Sequence, residues 1–164
     1  MFIDLAKIRV QGGAGGAGAV AFRRESGVPK GGPSGGNGGK GGDVVLVADS
    51  SLDTLLDFSY RESYSAERAA HGEGSNKTGR SGDDLRLPVP LGTVVKDAET
   101  GQRMGELLSP GAELVVARGG RGGRGNASYA TSTHQAPREW QPGEYGEERR
   151  IELELKLIAD VGLV

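Results

Sequence analysis

The sequence predicts a mainly β domain: a small barrel or sandwich of short strands that carries Gly-rich segments coiled as left-handed polyproline II helices. Three observations predict it. Glycine supplies 30 of 164 residues, and much of it falls into a strict Gly-Gly-Xaa phase at 12–18, 35–42 and 118–125. A period of three fits neither the α-helix nor the strand, but it does fit the three-residue turn of polyproline II. Apolar residues alternate with polar ones in Leu85–Val89 and Ile151–Leu155, as half-buried strands do. No amphipathic helix longer than a turn is visible. Composition alone would read the Gly runs as flexible linkers. Their fixed phase argues instead for packed backbones, with Gly13, Gly16, Gly36, Gly38, Gly39, Gly120, Gly122 and Gly123 at the close approaches.

The elements follow in order. Phe2 to Val10 reads as a strand with Phe2, Ala6, Ile8 and Val10 on one face, and Val20 to Arg24 as a short strand after the first Gly run. Val44–Val47 is apolar and β-branched. Ser50–Leu56 suits one helical turn behind a serine cap. Leu85–Val89 is a strand that Pro88 confines to an edge or a bulge. Thr93–Lys96 and Arg103–Leu107 flank Asp97–Gly101, whose composition is that of a hairpin turn, and Leu114–Ala117 leads into the arginine run. Three stretches carry no strand signal: 26–42, 72–82 and 126–144. Ordered loops of that length are commonly functional. Beyond Ile151–Leu157 the apolar run 157–164 suits the first buried strand of an α/β domain, so the chain reads as a fragment cut at a domain boundary.

Composition narrows the function. Without cysteine there is neither a disulfide framework nor a thiolate metal site. The two histidines, His71 and His134, lie far apart in sequence, so no metal is expected. Neither a signal peptide nor a membrane span is evident, and a cytoplasmic setting is expected. Net charge is −2, but its distribution is uneven. Residues 115–138 carry Arg118, Arg121, Arg124 and Arg138 with no acid, and residues 20–42 carry Arg23, Arg24, Lys30 and Lys40 against Glu25 alone. Residues 139–164 hold seven acids against three bases. A molecule with one basic end is implied.

Chemical motifs are scarce. Gly36-x-Gly38-x-x-Gly41 and Gly120-x-Gly122-x-x-Gly125 match a dinucleotide fingerprint only because any Gly-Gly-Xaa repeat does, and no helix follows to hold a pyrophosphate. Lys40 completes no P-loop. The pairs Asp83-Asp84 and Glu147-Glu148 read as a turn and a solvated strand end. The arginine run is the strongest feature: Arg118, Arg121 and Arg124 would line one edge about 9 Å apart. Guanidinium groups there could meet phosphates and bases, or could hydrogen-bond carbonyls of neighbouring coils. Both readings stand, as they do for Lys40.

Taken together, several blocks resemble the Obg family of GTPases. They are Gly18–Glu25, Val28–Pro33 with the Gly run to Val44, Gly79–Leu85, Val89–Thr93, Asp97–Gly101, Ala117–Asn126, Gln135–Arg138 and Leu155–Val164. The resemblance implies the Obg fold, packed polyproline II helices on a β-barrel, over residues 1–156, with 157–164 opening a GTPase domain. It implies a cytosolic, Mg2+-dependent parent that hydrolyses GTP to GDP and phosphate and assists assembly of the large ribosomal subunit. GTP, GDP and Mg2+ would belong to the parent, with no cofactor, metal or catalytic residue in this stretch. The partners implied are the large subunit with its rRNA, and the chain's own GTPase domain. Three distal loops, Phe22–Pro33, His71–Gly82 and Asn126–Arg138, would reach the RNA, with Arg23, Arg24, Lys30, Lys77, Arg80, Asn126, His134 and Arg138 as contacts. Departures occur at Ser26-Gly27, where the family commonly has Lys and an aromatic residue, and at Ser34 and Asn37, where acids are frequent. The alternative is a structural polyproline II module that binds proteins and no RNA. An enzyme in its own right is opposed by the missing nucleophile, metal cluster and P-loop.

Overall fold

The computed structural model describes residues 4–24 and 31–156. Phe2, Lys30 and the expected strand at 157–164 lie outside the described residues. Eight strands form: β1 (Leu5–Gln11), β2 (Val44–Ala48), β3 (Ser63–Ser65), β4 (Leu85–Val89), β5 (Thr93–Asp97), β6 (Arg103–Leu107), β7 (Glu113–Ala117) and β8 (Glu148–Leu155). They make a five-stranded sheet, β3-β1-β8-β5-β6, and a three-stranded sheet, β4-β2-β7. The alternation read from the sequence is what the sheets use. Ala6, Ile8 and Val10 of β1 and Ile151, Leu153 and Leu155 of β8 turn inward while their neighbours face out. Pro88 sits on β4, which pairs only with β2 and so is an edge strand, where a residue without an N–H is tolerated. β5 and β6 pair antiparallel across the expected turn, and Gly101 there takes φ +75°.

The small barrel or sandwich expected from the sequence takes the form of two open sheets sharing one core. Ile8, Val10, Val95, Ile151 and Leu153 from one sheet meet Val44, Leu46, Leu87, Val89 and Val116 from the other. Each such side chain contributes about 1.5–3 kcal/mol by leaving water. No ladder joins β6 to β7; Leu114 packs its side chain on Gly105 there. Two local expectations also shift. Val20–Arg24 is not a strand, since only Phe22 bridges, to Pro33. The helical turn falls at Leu56–Ser59, a single 3-10 turn that buries Phe58 against Tyr64.

Above the sheets stands a second layer with no helix or strand. Six segments, 12–19, 35–42, 66–73, 77–83, 118–125 and 141–147, lie side by side and hydrogen-bond to one another at every third residue. Gly13, Gly16 and Ala19 donate to Gly42, Gly39 and Gly36, while Gly12, Gly15 and Gly18 donate to Glu147, Glu144 and Gln141. Gly36, Gly39 and Gly42 donate to Glu73, Ala70 and Glu67, and Gly120 and Gly123 donate to Gly13 and Gly16. Residue numbers run opposite between 12–19 and 35–42, 12–19 and 141–147, and 35–42 and 66–73, which are antiparallel, and rise together between 118–125 and 12–19, which are parallel. A Cβ built on Gly13, Gly16, Gly36, Gly38, Gly39, Gly120, Gly122 or Gly123 would lie inside 3.0 Å of a backbone carbonyl in the next segment. The predicted structural glycines are therefore positions of close backbone approach.

Each segment joins a strand at one end only. Those at 12–19, 66–73 and 118–125 leave β1, β3 and β7, and those at 35–42, 77–83 and 141–147 return to β2, β4 and β8. The three reversals, 20–34, 74–76 and 126–140, consequently meet at the end of the layer away from the sheets.

Candidate nucleic-acid interface

The described residues of the three reversals, 20–24 with 31–34, 74–76 and 126–140, are tied to one another at this tip. In the first, Arg23 N–H donates to Gly32 O (2.8 Å) and Ser34 N–H to Ala21 O (2.7 Å). In the second, Ser75 and Asn76 both take left-handed backbone, φ 60° and 57°, and Asn76 N–H donates to Ser34 O (2.7 Å). Asn is at home there and Ser less so. In the third, a 3-10 turn at Asn126–Tyr129 precedes a small Thr131–His134 bridge.

Asn126 ties these pieces together. Its Oδ1 accepts from Gly35 N–H (2.8 Å) and Ala21 N–H (3.3 Å), and its Nδ2 donates to Ala21 O and Pro137 O (both 3.0 Å). The residue is 0% exposed, and its buried amide, with all four hydrogen-bonding positions met by protein, holds the tip.

The remaining expected contacts are on the surface. Arg23, Arg24, Lys77, Arg80, His134 and Arg138 are exposed. Arg138 stacks its guanidinium over the Phe22 ring at 5.2 Å, joining the first and third reversals. Arg80 reaches Asp83 at 3.4 Å in an exposed pair, which holds it only weakly. His134 Nε2 sits 3.0 Å from the Glu139 carboxylate. No acid lines the cleft between the first two reversals among the described residues. The acids of β8, by contrast, lie at the sheet end and pair there, Glu148 with Arg9 at 2.6 Å and Glu154 with Lys96 at 3.7 Å. The acids counted in 139–164 separate only in part from the basic tip: Glu139 lies there beside His134, and Glu144 and Glu147 lie in the layer segment 141–147.

Arg118, Arg121 and Arg124 lie exposed along the outer edge of 118–125. Among the described residues their guanidinium groups do not hydrogen-bond the carbonyls of the adjacent segment; those of Glu147, Glu144 and Gln141 accept instead from Gly12, Gly15 and Gly18 N–H. Lys40 is held by Asp43, Nζ to Oδ1 2.8 Å. Burial pushes the Asp43 carboxyl up, but the Lys40 hydrogen bond, the Gly119 N–H and the Lys40 and Arg118 charges outweigh it, leaving it below the usual carboxylate range.

Sequence reasoning missed Ser34, Gly74 and Asn76 at the tip and the exposed aromatics Trp140 and Tyr145. The Gly74-Ser75-Asn76 triplet, all turn formers, was the available signal for the middle reversal. Among the described residues no group of His, Asp or Glu could hold a metal ion, and no helix is long and apolar enough to cross a membrane. The inner Gly N–H groups cannot cradle phosphates, since neighbouring carbonyls take them.

The family model for GTP1/OBG matches residues 3–157. The chain is 62% identical over its whole length to GTPase Obg of Sulfurihydrogenibium sp. (strain YO3AOP1), covering 47% of that protein. It is 61% identical over 99% of its length to GTPase Obg of Persephonella marina, covering 48%. GTPase Obg of Syntrophus aciditrophicus is 60% identical over the same share of the chain, again with 48% covered. The chain thus spans about half the length of these curated relatives. A match of this extent, running through the Gly layer and both sheets alike, shows that the chain belongs to the GTP1/OBG family.

Proposed function

We propose that residues 1–156 form the RNA-docking module of a cytosolic, Mg2+-dependent GTPase that acts in assembly of the large ribosomal subunit, and that 157–164 begin its GTPase domain. The observation that carries this reading is the convergence of all three reversals, with Arg23, Arg24, Lys77 and Arg138, on one tip opposite the acids of β8. A layer of backbones cross-linked at every third residue by hydrogen bonds to neighbouring segments makes a stiff stalk, roughly 20 Å tall at 3.1 Å per residue. Such a stalk can carry a cationic tip into a crowded RNA cavity with little ordering cost on binding. The relatives' name supports a GTPase parent. GTP and Mg2+ would be held beyond the Gly layer, whose amides are already spent.

The test is co-sedimentation of the 164-residue chain with large ribosomal subunits across a salt series. Log affinity should fall linearly with log salt, and Arg24→Ala and Lys77→Ala should each weaken binding and lower the slope by about one with unchanged melting temperature. Affinity and slope indifferent to both substitutions would refute the reading, and capture of proteins but no RNA would favour a protein-binding module. The 164-residue chain should show no micromolar affinity for GTP, whereas the full parent should bind and hydrolyse it.

A further inference from the structure

Between the first and second reversals lies a cleft of about 500 Å³ lined by Ala21, Phe22, Arg23, Arg24, Ser34, Gly74, Ser75 and Asn76. Its volume is that of a small-ligand site. The wall is fixed by the hydrogen bonds already described: Ser34 is clamped through its N–H and C=O to Ala21 and Asn76, and Phe22 is braced from outside by Arg138. Ser34 lines the cleft and is 6% exposed as a residue. Its hydroxyl can both donate and accept. The Asn76 side chain is exposed at the rim.

We propose that this cleft receives a single unpaired RNA base turned out of its strand, an inference that rests on the docking function proposed above. The ring of Phe22 offers a stacking surface. Ser34 and Asn76 each both donate and accept, so they can meet the Watson–Crick edge of any base. Arg24, at the mouth, meets the adjoining phosphate. An acidic peptide would be drawn by the same arginines, but it makes no use of an aromatic wall next to a donor-and-acceptor pair. The occupant is therefore a base with its phosphate.

Gly74 gives a clean perturbation. Most glycines of the layer would drive a Cβ into backbone, whereas a Cβ on Gly74 meets only Ala21 Cβ at 3.4 Å, an ordinary contact. Gly74→Leu therefore plugs the cleft from its own wall, and Ser34→Ala removes the hydroxyl alone. Fluorescence anisotropy would compare three labelled RNA duplexes: one with a single bulged nucleotide, one with an abasic residue at the bulge, and one uninterrupted. The 164-residue chain should prefer the bulged duplex over the abasic one by at least ~5-fold, the lower range for one stacked base. Gly74→Leu should erase that preference while keeping affinity for the uninterrupted duplex, and Ser34→Ala should reduce it. Arg24→Ala should weaken all three duplexes alike. Binding without preference, or a preference that survives Gly74→Leu, overturns the cleft assignment and leaves the docking function intact. No binding to any duplex by folded chain overturns both.

Discussion

Gly38→Ala tests the central physical claim, that the Gly layer stands because backbones touch backbones. Gly38 is buried within 35–42, and a Cβ there would lie inside 3.0 Å of three backbone atoms of the adjacent segment, Gly16 O, Gly16 C and Ala17 N. None is the movable end of a side chain, so the segments themselves must part. Three hydrogen bonds converge there: Gly38 N–H to Gly123 O (2.8 Å), Gly16 N–H to Gly39 O (2.9 Å) and Gly123 N–H to Gly16 O (2.8 Å). Each is worth about 0.5–1.5 kcal/mol net, and more where a buried group is left unpaired. Their joint disruption implies a loss of about 2–5 kcal/mol, a large share of the roughly 5–15 kcal/mol of a whole domain. Urea unfolding followed by circular dichroism measures it, with Gly32→Ala as the control, because a Cβ on Gly32 meets nothing within 4 Å. Should Gly38→Ala cost less than about 1 kcal/mol, no more than an ordinary glycine replacement, with an unchanged m-value, the layer would not be a close-packed array and the reasoning would fail.

Three further expectations follow from the same packing. Asn126→Ala should cost about 2–4 kcal/mol, since it strands the Gly35 and Ala21 amides and the Pro137 carbonyl at the tip, while Ala21 O keeps Ser34 N–H. Hydrogen exchange at Gly35 and Ala21 should rise in that variant, and unchanged protection there would contradict the tie. Asp43, with its carboxyl held below the usual range by Lys40, Gly119 and Arg118 against the opposing effect of burial, contributes stability that is complete above its unfolded pKa of about 3.9. That contribution fades as pH falls through the lower folded value, so Asp43→Asn should flatten the acid limb of a stability–pH profile, and an identical limb would disprove it. Arg121→Ala should leave stability within about 0.5 kcal/mol, as for an exposed side chain. A larger loss in thermal melts would show that the arginine edge is structural after all.

What the sequence determined alone is the local pattern. Strand alternation in β1, β4 and β8, the edge position of Pro88, the β5–β6 turn and the phase of the three Gly runs are all fixed by which side chains can be buried or omitted, and those constraints act within a few residues. The blocks resembling the Obg family were legible for the same reason. What only the tertiary structure decided is which backbones lie together. The segments 66–73, 77–83 and 141–147 carry few glycines and gave no signal, yet they complete the layer. Each borders fewer neighbours than 12–19 or 35–42, so glycine is required only where one touches, at Gly72, Gly79, Gly82, Gly143 and Gly146. The parallel pairing of β1 with β3, the division into two open sheets, and the burial of Asn126 depend on contacts between residues far apart in the chain. A polar Asn in a Gly-rich loop looks the same on paper whether it faces solvent or ties three reversals. Its role was settled by the meeting of those reversals at one end, which follows from how six antiparallel and parallel segments stack and from no single stretch of sequence.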